Sequence, residues 1–131
     1  MTASQSAVIP LEPFGKARPR VTRTGHAYMP DSYTAARDAL RLMFGAVTVA
    51  PPWALKVTAV RAMPPSWSKR KRAEMSGAWC TSKPDADNIA GAVMDALFED
   101  DAAVVEVACR KVWGPSPELR IEIWTAEAVA A

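Results

Sequence analysis

A chain of 131 residues and 14.1 kDa, 50% hydrophobic and 23% charged with a mean hydropathy of −0.04, fits one folded domain and excludes global disorder. Two cysteines and one histidine exclude a disulfide framework, a Cys/His zinc site and any two-histidine mechanism; no apolar run approaches the ~18 residues of a membrane span, and Met1–Ser6 lacks the basic-then-apolar pattern of a signal peptide, so a cytoplasmic chain is expected. The net charge of +2 averages two opposed halves: residues 1–72 hold twelve Lys and Arg against three Asp and Glu, a net +9, and residues 73–131 hold four against eleven, a net −7.

Ala7–Leu11 predicts a short opening strand, ended by Pro10 and Pro13. Gly15-Lys-Ala-Arg-Pro-Arg-Val-Thr-Arg23 follows, and Pro19 denies it a regular helix. An extended basic ribbon turning at Thr24-Gly25 is expected. Asp31–Phe44 predicts a helix capped by Asp31 or Ser32, with Ala36, Leu40, Met43 and Phe44 as its apolar face and Gly45 as its stop. After Pro51-Pro52, Leu55–Ala62 alternates as a strand, ended by Pro64-Pro65. Ser68–Met75 predicts a short helix, and Asp87 or Asn88 opens a longer one reaching Phe98, with Ile89, Val93 and Leu97 inward. Val104–Trp113 and Leu119–Trp124 alternate as strands around Gly114-Pro-Ser-Pro117, which suggests an antiparallel hairpin. Residues 125–131 read as a frayed tail. The order predicts one domain over 1–131, an α+β two-layer sandwich: a mixed or mostly antiparallel sheet with two main helices on one face.

The acidic chemistry concentrates between Lys83 and Asp101. Pro84 disfavours helix at Lys83, which places Asp85 and Asp87 at or just before a helix start. Glu99-Asp100-Asp101 falls at the helix exit, where carboxylates oppose the dipole unless something positive sits there. Asp85, Asp87 and Asp101, with Asp100 as an auxiliary ligand, form a hard oxygen set suited to Mg²⁺ or Mn²⁺. An EF-hand is excluded, because alignment on Asp85 puts Ala90 and Ala96 at its glycine and glutamate positions. The plainer reading of the same residues is a capped helix with a solvated acidic face.

Two cationic stretches stand apart from these carboxylates: Lys16, Arg18, Arg20 and Arg23, and Lys69, Arg70, Lys71 and Arg72. Opposite a metal site such stretches suit a phosphate backbone, although each alone reads equally as a solvated loop. Trp67 and Trp79 flank the second stretch and are candidates for stacking on unpaired bases; core packing is the commoner fate of a tryptophan.

Lys83-Pro-Asp-Ala-Asp-Asn88, Met94-Asp-Ala-Leu97, Asp100-Asp101 and Val104-Val105 together resemble the core motif of the RusA family of Holliday junction resolvases. Gly15-Lys-Ala-Arg-Pro-Arg20 and Pro65-Ser-Trp-Ser-Lys69 resemble segments of its phage-type members, so the likeness runs from Lys16 to Lys111. The resemblance implies a small homodimeric, Mg²⁺-dependent endonuclease acting on four-way DNA junctions in a bacterial or phage setting. Its essential carboxylates fall on Asp85, Asp87 and Asp101. The better-known members carry a lysine four residues after the second motif aspartate; here that position is Gly91, with Lys83, Lys16 and Lys111 as substitutes. One-metal and two-metal hydrolysis are equally compatible with the sequence. The rival readings are a branched-DNA-binding protein weakened in catalysis by Gly91, and a non-catalytic metal-binding interaction domain.

Overall fold

The computed structural model describes residues 3–130. Strand β1 (Ser4–Ile9) opens the chain, three residues earlier than the pattern suggested. Two short strands, β2 (Arg20–Val21) and β3 (Ala27–Tyr28), form the expected basic ribbon, closed by the Gly25 N–H donating to Thr22 O at 3.0 Å. Helix α1 (Asp31–Phe44) ends at Gly45, whose φ of 82° is left-handed and whose N–H returns to Arg41 O. Its start corrects the expectation: Pro30 holds the N-cap position and no side chain caps the helix. Its inward face is Tyr33, Leu40 and Phe44, while Met43 turns outward.

Strand β4 (Trp53–Ala62), helices α2 (Lys69–Met75) and α3 (Ala86–Leu97), a single 3₁₀ turn (Asp101–Ala103), and strands β5 (Val104–Gly114) and β6 (Glu118–Thr125) complete the fold. The main sheet runs β1-β6-β4-β5, with β4 parallel to β5 and antiparallel to β6. This overturns the expected hairpin of β5 with β6, because β4 lies between them. Alternation tells which way a side chain faces and not which strand lies next door. The near-continuous burial of Ala54–Val60 marks β4 as the strand needing a neighbour on each side. The β5–β6 link must therefore cross the end of β4. Gly114 permits it, since a Cβ there would sit 2.4 Å from Val60 Cγ1.

Helices α1 and α3 cover one face of the sheet. Leu55, Val57, Ala59, Leu119, Ile121 and Ile123 meet Leu40, Phe44, Ile89 and Val93 there. The other face is polar and open, with Lys56, Thr58, Arg110, Arg120 and Glu122. The architecture is the expected α+β layering with a mixed sheet. A second small core, Met63, Cys80 and Trp113 with Trp67 and Met75, holds α2 at one end. Among the described residues no helix is long and apolar enough to cross a membrane.

Candidate active site

The candidate site stands at the N-terminal end of α3. Asp85 is the N-cap residue, yet its carboxylate caps nothing. It accepts from Lys83 Nζ at 2.8 Å instead. That hydrogen bond and charge hold the Asp85 carboxyl below the ordinary range and raise the Lys83 ammonium above its own, with a smaller push on Asp85 from Lys111. Asp87, in the first turn, is exposed. Both carboxylates therefore meet the positive end of the helix dipole.

Two contacts fix this end of the helix. Lys111 on β5 donates to the carbonyls of Ser82 (2.6 Å) and Pro84 (2.9 Å), pinning the loop that leads into α3. From the other side, the Lys16 N–H donates to Asn88 O at 2.9 Å. The loop lies so close that a Cβ on Gly15 would meet Asn88 Cβ at 3.2 Å and Pro84 Cβ at 3.3 Å. The Lys16 stem then runs over Gly91, with Cδ 3.5 Å and Cβ 3.6 Å from where a side chain would begin. Of the three lysines here, Lys83 is paired, Lys111 is anchored to carbonyls, and Lys16 has a packed stem with an exposed end.

The same helix stripe continues to Asp95, which belongs to the helix–helix joint and not to the site. Tyr33 Oη donates to Asp95 Oδ2 at 2.6 Å, and Arg37 stands 3.8 Å away. Burial, then the Asp95 bond and charge, drive the Tyr33 hydroxyl far above its usual range.

Asp100 and Asp101 lie past the other end of α3. Twelve helical residues separate the ends by about 18 Å. Asp100 Oδ1 accepts from the Ala102 N–H at 3.0 Å and so shapes the 3₁₀ turn, while Asp101 is exposed. The positive partner expected at this helix exit is Arg41 of α1, whose Nε donates to Ala96 O at 2.8 Å and whose Nη2 lies 3.4 Å from Asp95 O. A cleft of about 1240 Å³ also opens here, between Arg41, Leu42, Trp53, Leu97 and Asp100. Within one chain the structure does not bring Asp100 and Asp101 to Asp85 and Asp87. Among the described residues no three His, Cys, Asp or Glu side chains group as a metal site.

The cationic segments differ in how free they are. Arg18, Arg20 and Arg23 are exposed on the ribbon beyond Lys16, and none forms an ion pair among the described residues. On α2, Arg70 pairs with Glu74, Lys71 lies 4.3 Å over the Trp67 ring, and Arg72 donates to Met63 O and Pro64 O; Lys69 is exposed. Trp67 packs edge-on against Trp113 with ring centres 5.0 Å apart. Trp79, by contrast, is 67% exposed and bridges to Val112 beside the candidate site. Sequence reasoning missed Lys111 as an anchor and Arg41 as the helix-exit cation. Neither had a signal, since both act through sheet and helix neighbours far away in sequence.

A family model described as Endodeoxyribonuclease RusA matches residues 10–124, from just after β1 to the penultimate residue of β6. The chain belongs to the RusA endodeoxyribonuclease family. No curated protein matches it. The RusA match takes in the Lys16 loop, α2, Asp85, Asp87 and Asp101 alike, so the acidic and basic halves belong to one family unit.

Proposed function

We propose that this RusA-family protein is a divalent-metal-dependent endonuclease that resolves four-way DNA junctions as a homodimer, with Asp85 and Asp87 at its catalytic centre. The observation that carries the reading is the exposed carboxylate pair at the N-terminus of α3, held from both sides by Lys111 and by the Lys16 loop. Mg²⁺ is characteristically bound by one or two carboxylates, with water and substrate phosphate completing its shell. An open pair fits that pattern; among the described residues no third carboxylate groups with it. Bound there, Mg²⁺ or Mn²⁺ would supply an activated water and a Lewis acid for the phosphodiester.

The chain's own residues do the rest. Asp85 and Asp87 would hold the ion, and Lys83, which pairs with Asp85 in the metal-free chain, would be available to the phosphate once the ion is bound. Lys16, whose stem lies over Gly91 one turn along the helix from Asp87, would offset charge on the scissile group. Arg18, Arg20 and Arg23, with Lys69, track the backbone, and Trp79 supplies an aromatic face for an unpaired base.

Incubation with a synthetic four-way junction and Mg²⁺ tests this directly. Symmetric nicks are expected, and Asp87→Asn should reduce them by about 10²-fold or more while junction binding persists. Absence of nicks in Mg²⁺ and in Mn²⁺, with binding retained, would favour the second reading, a branched-DNA-binding protein. The side-chain-free Gly91 and the Lys83–Asp85 ion pair are the observations on that side.

A further inference from the structure

Between Glu12 and Asp31 the chain holds Lys16, Arg18, Arg20 and Arg23 and no carboxylate. Every residue from 18 to 28 is exposed. The ribbon of β2 and β3 belongs to neither hydrophobic core. Its own bonds give it shape. Thr22 N–H donates to His26 O at 2.9 Å, His26 N–H returns to Thr22 Oγ1 at 3.1 Å, and Gly25, left-handed at φ 85°, closes the turn. A lone two-stranded ribbon is marginally stable in water. This one also leaves Val21 67% and Tyr28 44% exposed. A preformed ribbon without a core asks for a partner, and a run of cations without an acid selects a polyanion.

We infer that this ribbon enters the major groove of a duplex arm beside the branch point, with Arg20 and Tyr28 toward the base edges. The inference rests on the DNA-binding part of the proposed function and not on cleavage. Two paired strands stand about 4.8 Å apart. With side chains added they are too wide for a minor groove of about 6 Å, and they fit a major groove of about 12 Å. The register pairs Arg20 with Tyr28 and Val21 with Ala27, so each pair shares one face of the ribbon. Only the first face carries hydrogen-bonding groups suited to base edges. The Arg20 guanidinium fork matches O6 and N7 of guanine, and the Tyr28 phenol lies beside it. Arg18 and Arg23 flank β2 and are left for the phosphates of the groove walls.

The root of the ribbon sets its reach. Lys16 N–H is bonded to Asn88 O, one residue along α3 from Asp87. Four extended residues carry the chain at most about 14 Å to Arg20, and seven at most about 25 Å to Arg23. At about 3.4 Å per base pair, the contact falls within about seven pairs of the carboxylates. The ribbon therefore reads the arm next to the branch point, and the site itself acts on the branch.

Dimethyl sulfate footprinting of a synthetic four-way junction, in Ca²⁺ and low salt, reads the groove, because guanine N7 lies in the major groove and adenine N3 in the minor. Guanine N7 protection is expected within about seven base pairs of the branch point. Arg20→Ala should abolish it and weaken binding about tenfold. Arg23→Ala should keep the pattern and lower the slope of log K against log salt by about 0.9. Both side chains are exposed, so both variants should unfold at the wild-type urea concentration. Trypsin should cut the free protein after Arg20 and Arg23 and spare both in the complex. Adenine N3 protection, a bound junction without protection, or N7 protection that survives Arg20→Ala overturns the inference and leaves the nuclease reading intact. Resistance of the free ribbon to trypsin overturns it too, since protein then covers the ribbon. A wild type that binds no junction at low salt overturns the nuclease reading along with it.

Discussion

The two ends of α3 carry the same acidic chemistry in opposite settings. At the N-terminal end, Asp85 and Asp87 meet the positive pole of the helix; Lys83 pairs with Asp85, Lys111 holds the loop before them, and the Lys16 stem packs over Gly91. At the C-terminal end, Glu99, Asp100 and Asp101 follow the negative pole, and the local cation, Arg41, is committed to backbone carbonyls. Asp100 is itself used up in shaping a turn. The first end therefore presents stabilised anions with their cations arranged around them, ready to exchange one for a metal or a phosphate. The second presents anions that form no ion pair among the described residues. Counting carboxylates does not separate these ends; the placement of their cations does.

The largest way to break the comparison is to move a cation at the N-terminal end. Lys16→Ala removes the only one of the three lysines whose ammonium is not committed, and junction nicking should fall about 10- to 100-fold. Gly91→Lys alone should not raise activity, because the Lys16 stem already lies over that position. The double variant should recover most of the loss, with a lysine now entering the same space from the helix. Single-turnover cleavage measures all three. A rise in the Gly91→Lys variant alone would show that Lys16 does not fill the role.

This division was only half legible in the sequence. The helix and its acidic start were readable because Pro84 and the 3.6-residue apolar period are local signals, and the layered α+β fold followed from element order. The sheet order was not, since β4 enters between β5 and β6 from fifty residues upstream. The motif places Asp85, Asp87 and Asp101 together on paper, but the length of α3, twelve residues, holds Asp85 and Asp87 apart from Asp101 in the chain. Likewise the plainer reading of Asp85 as a helix cap had the right position and the wrong partner: the carboxylate goes to Lys83. Lys16 over Gly91 is a contact across seventy-five residues of sequence, visible only once the loop is docked.

At the C-terminal end the expected effect is on stability, not on chemistry. Arg41→Ala strips the last turn of α3 of its charged donor and leaves Glu99–Asp101 against uncompensated carbonyls. A loss of about 1–2 kcal/mol is expected from urea unfolding, with nicking per folded molecule unchanged. Arg41→Lys should recover part of it. Reduced nicking in fully folded Arg41→Ala would mean that the C-terminal end takes a direct part in the reaction.

The smallest effect reads the N-terminal end from underneath. Cys109 lies half-buried on β5, and its thiol is pushed up to about 11, chiefly by burial. The Lys111 charge lowers it and the Asp87 charge raises it. At pH 8 the thiolate is then only about 10⁻³ of the total, and alkylation is slow. Asp87→Asn removes a negative charge that opposes ionisation, so the thiolate fraction should rise and alkylation should quicken, by less than about threefold for a charge acting near the surface. Lys111→Met should slow it, because the charge it removes has the opposite sign. Mass spectrometry of the Cys109 peptide over time measures both, with buried Cys80 as the internal reference. Equal rates in wild type and Asp87→Asn would mean that Asp87 faces away from β5, and the carboxylate pair would lose one of its two members from the surface that Lys16 and Lys111 frame.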